Sequence, residues 1–476
     1  MTQYSRDCRC RTMTFVLPLL SLFFLFAVTA GAKTIYVPAD YWTIQEAIDG
    51  AADGDHIMVR PGVYAENLDL GGKSIALESE KGPEVTFIDG NSAGSVIRYD
   101  NGEGAGSVLR GFTITNGLAQ YGAGIYCEGN TDLLVTGNII RENRANYIHW
   151  AFGGGILCEG TARIMITGNR ITANHVHSSG GPVNDGYGAG IYCFNSSSTR
   201  IANNIISENS ITSNRSSGGG IYCHNSSLTL FNNTILDNEV YSQGGGIACY
   251  LSTVDVANTI LWGNDAPLGP EVSIGSATPH FDISYCDVLG GDKSVHVEPG
   301  CTMTWGAGMI ESDPLLIEPA IGDYHISYES PCRNAGSVAL LPPDIVLDFE
   351  HDPRVHDGAI DIGADEYHNH LYLTGLAVPG MGIDIRIVGE PGVLTTRLLV
   401  GRRIQDPPRP TPHGDLYLTW PVRVLEAGPI PASGVLVVPK PIPMWWKPQE
   451  EHPVQALVGP LTGQAELTNL MLLTVR

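Results

Sequence analysis

Charged side chains are scarce in this sequence. They make up 16% of its 476 residues, and the basic ones are scarcer, with 27 Lys and Arg against 50 Asp and Glu. The formal net charge of −23 argues against nucleic acid and anionic membranes as partners, because both repel an acidic protein. Helical periodicity is missing from most of the chain. Glycine, in contrast, is abundant, with 57 residues. Long helices disfavour glycine, so this composition favours β-structure with many turns.

Long apolar runs are also missing, except for one near the N-terminus. Phe15 to Val28 is apolar, three arginines precede it, and Ala-Gly-Ala at residues 30–32 offers a cleavage site. These features predict a signal peptide over residues 1–32, because the run is short for a membrane span. We therefore expect a secreted or cell-surface protein with no membrane insertion after cleavage. An uncleaved N-terminal anchor is the alternative.

Cysteine is present, and five of the ten cysteines end copies of one six-residue phrase. The phrase reads GAGIYC, GGGILC, GAGIYC, GGGIYC and GGGIAC, and its copies end at Cys127, Cys158, Cys193, Cys223 and Cys249. Because side chains alternate along a strand, Ile and Cys share one face of each copy. We predict that these thiols form a buried column of packing residues. A metal or redox site is the alternative, but it needs ligands that converge on one point.

Asparagine recurs in two registers between the cysteines. The first register holds Asn138, Asn169, Asn204, Asn233 and Asn258; the second holds Asn143, Asn174, Asn209, Asn238 and Asn264. Each repeat is too short to bury its own core, so successive repeats must stack, with strands about 4.8 Å apart. This pattern is typical of a parallel β-helix. Asparagine tolerates left-handed backbone, so we place these residues at corners, with hydrogen bonds running along the stack.

The segments on either side of the repeats resemble known β-helix proteins. TIQEAIDGAADGDHIMVRPGVYAENLDL, which contains a capping box of Thr43 and Glu46, resembles the opening coil of exported right-handed parallel β-helix proteins. That opening is shared by pectin methylesterases and NosD-like, carbohydrate-associated proteins. SDPLLIEPAIGDYHISYESPCRNAG and DIGADEYH resemble the closing segment of secreted bacterial β-helix proteins. The resemblance implies an all-β, right-handed parallel β-helix of the pectin-lyase-like type, with a short N-terminal capping helix.

The chain is therefore expected to contain three parts. A signal peptide occupies residues 1–32, the right-handed parallel β-helix residues 33–368, and a β-rich domain residues 369–476. In the last part, short runs such as LYLTG, GIDIRIVG and GVLVVP alternate with turn signals. Regularly spaced short strands of this kind predict a small antiparallel β-sandwich.

Motifs of the enzymes that share this fold are missing. The Asp-Asp pair and the Gly-His-Gly of polygalacturonase-like hydrolases do not occur. Asp352-Pro353-Arg354-Val355 departs at its last two positions from the Asp-Pro-His-Glu of alginate epimerases. We therefore expect a non-catalytic protein that binds glycans or has a structural or adhesive role. A polysaccharide lyase or glycoside hydrolase is the alternative.

The candidate binding residues come from insertions at one register of the repeat, between the second asparagine and the glycine phrase. Insertions at one register project from one side of a solenoid, which is often the binding side. We predict a shallow glycan-binding groove there, because aromatic rings with polar neighbours suit sugar rings. Its residues are Tyr147, His149, Trp150, His175, His177, Asp185 and Tyr187. Packing of the rings onto the solenoid is the alternative.

We predict no resident cofactor, although calcium is an open alternative at one acidic segment. DFEHDPRVHDGAIDIGADEYH contains seven Asp and Glu residues, and carboxylates suit calcium. The spacing matches no EF-hand loop, so a solvated edge that closes the last coil is the simpler interpretation. Cys286, Cys301 and Cys332 lie outside the repeated phrase and leave room for one disulfide, whose pairing the sequence does not choose.

Overall fold

The computed structural model of the chain describes residues 31–368, apart from residues 130, 161–162, 181–183, 197, 351 and 357, and separate backbone strands between residues 371 and 474. Near its start lies one short α-helix, Ile44–Gly50. The side chain of Thr43 accepts from the backbone N–H of Glu46, and the side chain of Glu46 accepts from that of Thr43. The predicted capping box is therefore confirmed, and Ile44, Ala47 and Ile48 form the buried, apolar face of the helix.

Three long parallel sheets form the walls of a solenoid, and each strand pairs with its equivalent one coil later. Sheet A has eleven strands: Thr34–Val37, His56–Val59, Ala76–Ser79, Ser107–Arg110, Asp132–Thr136, Arg163–Thr167, Ser198–Ala202, Ser227–Phe231, Thr253–Ala257, His280–Ser284 and Thr304–Trp305. Sheet B has nine: Gly62–Ala65, Thr86–Asp89, Thr113–Thr115, Ile139–Arg141, Arg170–Thr172, Ile205–Ser207, Thr234–Leu236, Ile260–Trp262 and Asp287–Val288. Sheet C has nine: Leu68–Asp69, Ile97–Tyr99, Ile125–Glu128, Ile156–Glu159, Ile191–Phe194, Ile221–His224, Ile247–Tyr250, Val272–Gly275 and Val295–Val297. The predicted parallel β-helix is confirmed.

The cysteines of the repeated phrase form a column inside the solenoid. Cys127, Cys158, Cys193, Cys223 and Cys249 are register partners along sheet C, and all five are buried. Burial raises the pKa of the Cys127 thiol well above its usual range, so the thiol stays protonated. All eight cysteines among the described residues are free, including Cys286, Cys301 and Cys332. The predicted packing column is therefore confirmed, and no disulfide joins the other three.

The first asparagine ladder follows the turn from sheet A to sheet B. Asn138, Asn169, Asn204 and Asn233 are buried, and each of the first three donates its backbone N–H and its Nδ2 to the Oδ1 of the next, at 2.9–3.1 Å. The prediction for Asn258 is wrong by one residue. Thr259 occupies the fifth position, and its hydroxyl accepts from the N–H of Asn233 at 3.3 Å.

Asn258 belongs to a neighbouring column, which makes the turn itself. Asn203, Asn232 and Asn258 each precede a ladder residue and have φ of 54°, 53° and 50°. The left-handed backbone is therefore carried by the residue before the ladder, whereas the ladder residue supplies the hydrogen bonds. The two tasks were assigned to one residue in the sequence-based prediction, and the structure separates them.

The second asparagine ladder lies where the chain leaves sheet B. Asn143, Asn174, Asn209, Asn238 and Asn264 repeat the same bonding pattern at 2.8–3.2 Å, so the predicted register is confirmed for all five. This ladder ends on Glu271, whose carboxylate accepts from the N–H of Asn264 at 3.3 Å and from its Nδ2 at 2.6 Å. Burial raises the pKa of Glu271 to about 8.

Beyond the second ladder, the middle coils leave the solenoid and return, which forms a two-layered fin. The outgoing strands form sheet D: Leu118–Ala119, Arg144–Ile148, His175–Ser179, Ser210–Ile211 and Glu239–Val240. The returning strands form sheet E: Trp150–Phe152, Asp185–Tyr187 and Arg215–Ser217. Small buried side chains such as Ala145 and Val176 of sheet D and Ala151 of sheet E pack together. A Cβ on Gly186 of sheet E would lie 2.7 Å from Ile211 of sheet D, so the layers touch.

Residues 313–367, which we call the strap, run along the outward face of the later strands of sheet B. Tyr324 and Ala364 of the strap pack against Ile205 and Leu236 of sheet B. The hydroxyls of Tyr324 and Ser207 are hydrogen-bonded at 2.9 Å, and the backbone N–H of Ala364 donates to Thr234 Oγ1 at 3.0 Å. Within the strap, Leu316–Glu318 and Asp323–Ile326 form an antiparallel pair. Short 3-10 helices occupy Gly291–Ser294, Pro319–Ile321 and Val338–Leu340.

Four of the seven carboxyl groups at the acidic end of the strap are buried, so the interpretation of this segment as a solvated edge is wrong for those four. Asp348, Asp361, Asp365 and Glu366 are at most 5% exposed, and each accepts a hydrogen bond from a backbone N–H. Arg354 lies fully buried among them and donates to the carbonyl oxygens of Asp361, Gly363 and Ala364 at 2.6–3.0 Å. Calcium at this segment would have to replace the backbone hydrogen bonds that these carboxylates already accept.

The described strands beyond residue 370 pair antiparallel, as predicted. They are Leu371–Thr374, Gly382–Val388, Thr396–Val400, Ile404–Thr411, Gly414–Leu418, Arg423–Gly428, Val435–Pro441, Glu451–Val458, Glu466–Leu467 and Met471–Thr474. Their packing into a sandwich stays a prediction, as do the boundaries of the three parts. The predicted signal peptide, residues 1–32, lies almost entirely outside the described residues. None of the described helices is long and apolar enough to cross a membrane.

Candidate functional site

The glycine phrase makes a sharp corner where the fin meets sheet C. Its first glycine is left-handed in all five copies, with φ between 53° and 69°. At Gly188 a Cβ would lie 2.5 Å from the carbonyl oxygen of Ile191 and 2.8 Å from the Cβ of Tyr192. Both the backbone angle and the space therefore require glycine here. The outward faces of sheets E and C meet at this corner, which we call the aromatic corner.

Aromatic rings from the two sheets fill this corner. Phe152 of sheet E lies 5.4 Å from Tyr187 one coil later and 5.1 Å from Tyr192 of sheet C, measured between ring centres. Tyr187 in turn lies 4.6 Å from Tyr222, and the planes of these ring pairs differ by 20° or less. The rings of the corner are those of Tyr121, Tyr126, Phe152, Tyr187, Tyr192, Phe194, Tyr222, His224 and Tyr250.

Stacking determines which part of each ring a ligand can reach. The ring faces cover one another along the stack, and Tyr192 and Tyr222 are only 5% and 7% exposed. The corner therefore presents ring edges and phenol hydroxyls more than open ring faces. Burial raises the pKa of Tyr187 to about 12, so its hydroxyl is neutral and can both donate and accept hydrogen bonds.

Two carboxylates lie beside the rings on sheet C. Glu128 and Glu159 are register partners on neighbouring coils. The hydroxyl of Tyr126 donates to Glu128 Oε2 at 2.6 Å. Burial, with the charge of Glu128, raises the pKa of Glu159 above its usual value. The Arg98 guanidinium lies 4.8 Å from the centre of the Tyr126 ring, so the edge of the corner also carries one positive charge.

Three of the predicted binding residues lie on the outward face of sheet E. Trp150 and Asp185 are register partners, and Tyr187 is two residues beyond Asp185. They alternate with Ala151 and Gly186, which pack into the fin. Trp150 is 49% exposed, whereas Tyr187 is only partly exposed because it is stacked with neighbouring rings.

The two predicted histidines of sheet D lie on the opposite face of the fin. His175 and His177 flank Val176, whose side chain is buried between the two layers. His175 Nδ1 is 3.0 Å from Ser210 Oγ, and His177 Nδ1 is 2.9 Å from Thr212 Oγ1. Burial lowers the pKa of His175. The structure therefore does not bring these histidines into one groove with Tyr187, which corrects the prediction of a single shared groove.

Tyr147 and His149 lie at the rim of the fin. Tyr147 is 52% exposed, because the preceding coil contributes only Leu118–Ala119 to sheet D and leaves this edge uncovered. His149 makes the turn from sheet D to sheet E with φ of 79°, and its ring centre lies 6.1 Å from that of Trp150. The rim and sheet E thus bring His149 and Trp150 together beside the aromatic corner.

Comparison with known families identifies the repeat. Residues 83–262 match the family model described as a right handed beta helix region. The chain contains a right-handed parallel β-helix. A comparison of the sequence with curated proteins gives no match. The matched segment contains the first asparagine ladder, the second ladder as far as Asn238, the fin and all the rings of the aromatic corner.

Several rings of the corner were missed by sequence reasoning. Tyr192 and Tyr222 are the fifth letter of the repeated phrase, and Tyr121 directly precedes it. Strand alternation already places the fifth letter outside the β-helix, opposite the buried cysteine. The sequence signal for these rings was therefore the recurrence of aromatic residues at two equivalent positions of successive repeats. One position is the fifth letter of the phrase, the other directly precedes the phrase, and the left-handed glycine brings them together.

A separate cavity of about 320 Å³ lies between the earlier strands of sheet B and the strap. Its lining includes Arg141, Glu142, Arg170, Glu208 and Tyr324. The Arg170 guanidinium lies 5.6 Å from the centre of the Tyr324 ring, and its Nε is buried without a hydrogen-bond partner among the described residues. Charges of both signs line this cavity, so it does not select an anion or a cation.

Proposed function

We propose that this chain is an exported glycan-binding protein that acts without catalysis. In this proposal the β-helix is a rigid scaffold, and the aromatic corner holds the ligand. The observation that carries the proposal is the continuous set of rings and phenol hydroxyls along one edge of the β-helix, from Tyr121 to Tyr250. Export is supported by the apolar run and the Ala-Gly-Ala site at the N-terminus.

The dimensions of the corner suit an extended ligand. Its rings come from five successive coils, which at about 4.8 Å a coil give a strip roughly 20 Å long. Neutral phenol hydroxyls such as those of Tyr187 and Tyr192 can pair with the hydroxyls of a sugar chain. Trp150, half-exposed at one end, adds an apolar ring surface. An open strip of this kind favours a polymer over a small enclosed ligand.

The charge of the corner favours neutral glycans. Glu128 and Glu159 lie beside the rings, and the whole chain carries a formal charge of −23. Both features repel the carboxylates of a polyuronate. We therefore expect neutral glycans to bind better than polyuronates, and any polyuronate binding to require calcium as a bridge.

A polysaccharide lyase or glycoside hydrolase is the second candidate, and one observation favours it. Glu128 and Glu159 are paired carboxylates with the pKa of Glu159 raised, and glycoside hydrolysis uses one protonated and one ionised carboxyl group. However, the two lie next to each other on one sheet, whereas an acid and a nucleophile must flank the scissile bond. Binding without catalysis is therefore the preferred function.

A glycan array with matched variants tests the binding site. We expect the double variant Trp150→Ala, Tyr187→Phe to bind about tenfold more weakly than wild type, because it loses one ring and one hydroxyl but keeps the stack. The matched control is His175→Ala, His177→Ala, on the opposite face of the fin, which should bind like wild type. Equal binding by wild type and the corner variant, with equal thermal midpoints, would show that the corner is not the site.

Product analysis tests the second candidate. Wild type and Glu159→Gln are incubated with each glycan that binds, and new reducing ends and unsaturated products are measured. We expect neither product from either protein. Release by wild type and its loss in Glu159→Gln would replace the binding function with an enzymatic one.

A further inference from the structure

A different group of polar side chains lies on the outward face of sheet A, near the C-terminal end of the β-helix. Asp255 and Asp282 are register partners on neighbouring strands. His280 is two residues before Asp282 and therefore points from the same face. Its Nε2 is 3.4 Å from Asp255 Oδ1 and 3.1 Å from Asp282 Oδ2. One imidazole nitrogen thus faces two carboxylates at once.

The surroundings leave the negative charge of this group poorly balanced. Like charges directly opposite one another on neighbouring strands are destabilising. Among the described residues, neither aspartate has a lysine or arginine within ion-pair distance, and Asp282 Oδ1 is buried without a hydrogen-bond partner. Arg200, two coils earlier in the same column, is already bound to Asp344 through two bonds of 2.6 and 2.9 Å.

We propose that Asp255, His280 and Asp282 bind a divalent transition-metal ion, such as zinc. Ligand atoms around a tetrahedral zinc ion lie about 3.3 Å apart, given metal–ligand distances of about 2.0–2.1 Å. The observed 3.1 and 3.4 Å bracket that separation, and the ligand atoms of all three residues lie within 4.8 Å of one another. The cation takes the place of the proton on Nε2 and balances both carboxylates.

The donor set distinguishes zinc from calcium. Calcium takes six to eight oxygen ligands and does not favour an imidazole nitrogen. Zinc accepts imidazole and carboxylate together, and three protein ligands leave its fourth position open to water or to a ligand from another molecule. The group lies on sheet A and the aromatic corner lies on sheets C and E, so this site is independent of the proposed glycan site.

The same sheet provides a natural control. His56 Nε2 lies 3.2 Å from Glu78 Oε2 on the outward face of sheet A, which resembles half of the proposed site. There, however, Arg110 Nη1 lies 3.3 Å from the other carboxylate oxygen of Glu78. A guanidinium already balances this carboxylate, so His56 should contribute nothing to zinc binding.

Zinc titration by isothermal calorimetry tests the proposal on the mature chain without an affinity tag. Wild type should show one more strong zinc site than the double variant Asp255→Asn, Asp282→Asn. The single variant His280→Asn should bind zinc at least about tenfold more weakly than wild type, since even changes outside the ligand shell cost that much affinity. His56→Asn should match wild type. Zinc should also raise the thermal midpoint of wild type and His56→Asn, but not that of the site variants.

Two results would overturn the proposal. One is an unchanged number and affinity of strong zinc sites in the double aspartate variant. The other is calcium binding as tight as zinc binding with no effect of His280→Asn, because imidazole would then not be a ligand. Asparagine keeps the size of each replaced side chain, and thermal midpoints without zinc show whether the variants fold. If the double variant is unfolded, His280→Asn alone decides the matter.

Discussion

The two asparagine ladders are built alike but end differently. In both, a buried asparagine donates to the asparagine of the next coil and accepts from that of the previous one. The first ladder ends on the hydroxyl of Thr259, and the second ends on the carboxylate of Glu271. An interior position needs a side chain that donates and accepts at once, whereas the last position needs only an acceptor. The choice of that acceptor decides whether the ladder responds to pH.

The strongest test is to remove an amide from the middle of each ladder. Asn204 accepts from Asn169 at 2.9 and 3.0 Å, and it donates to Ile166, Ala202 and Asn233 at 2.8–3.1 Å. Asn204→Leu leaves several of these buried groups unpaired, so we expect the free energy of unfolding to fall by about 3 kcal/mol or more. Asn209→Leu should cost nearly the same, because Asn209 makes the same bonds to the coils before and after it.

Denaturant unfolding measures both variants. The control is Asn146→Leu, at an exposed position of sheet D outside both ladders, which should change stability by no more than about 0.5 kcal/mol. A neutral effect of Asn204→Leu, or a large difference between the two ladder variants, would contradict the equivalence of the ladders.

The next effect is the pH response of the second ladder. The pKa of Glu271 is raised to about 8 in the folded chain, above the value of about 4.3 expected when unfolded. Protonated Glu271 therefore stabilises the fold below about pH 4.3, and this contribution is lost as pH rises towards 8. Glu271→Gln should remove that loss, so its stability should exceed that of wild type increasingly from pH 5 to pH 8.

The measurement is the difference in free energy of unfolding between wild type and Glu271→Gln at each pH. The difference is needed because other buried groups also titrate, such as Glu366 in the strap, whose pKa burial raises to about 8 as well. Thr259→Val, at the end of the other ladder, should show no such change with pH. Parallel stability curves for wild type and Glu271→Gln would mean that the two ladder ends do not differ in this way.

The smallest effect is expected at the end of the first ladder. Thr259 Oγ1 accepts from the N–H of Asn233 at 3.3 Å and donates to the carbonyl oxygen of Ala257 at 3.0 Å. Thr259→Val keeps the shape and removes these two bonds, so we expect a loss of about 1 kcal/mol in denaturant unfolding. Thr229→Val on the outward face of sheet A is the control and should be close to neutral. If Thr259→Val lost more free energy of unfolding than Asn204→Leu, the end of the ladder would matter more than its interior, which would contradict this prediction.

Much of the β-helix was predictable from the sequence, because repeats stack in register. Once Cys127 and Cys158 occupy equivalent positions, parallel pairing at a fixed spacing places them one above the other. The same reasoning predicted the second ladder in full, and the capping box of Thr43 and Glu46 is a local signal that needs no tertiary contact. Local pattern and repeat period therefore determined the architecture, the inner columns and the first helix.

Two kinds of prediction failed: which of two adjacent residues joins a ladder, and on which face of the fin a side chain lies. Asn232-Asn233 and Asn258-Thr259 each follow a short strand, and the sequence does not tell which residue makes the left-handed turn and which joins the ladder. His175 and His177 were grouped with Tyr187 because they share an insertion. Folding of that insertion into two strands placed them on opposite faces.

Only the tertiary structure decided which outward-facing side chains of different strands come into contact. Phe152 and Tyr192 are distant in sequence and belong to different sheets, yet their ring centres lie 5.1 Å apart because a left-handed glycine closes the corner between those sheets. His280 and Asp255 likewise meet only through the stacking of coils. The sequence by itself determined which residues repeat and which face inward, since both follow from period and alternation. The angle between sheets follows from backbone geometry at the turns, and that angle determines which outward side chains can act together.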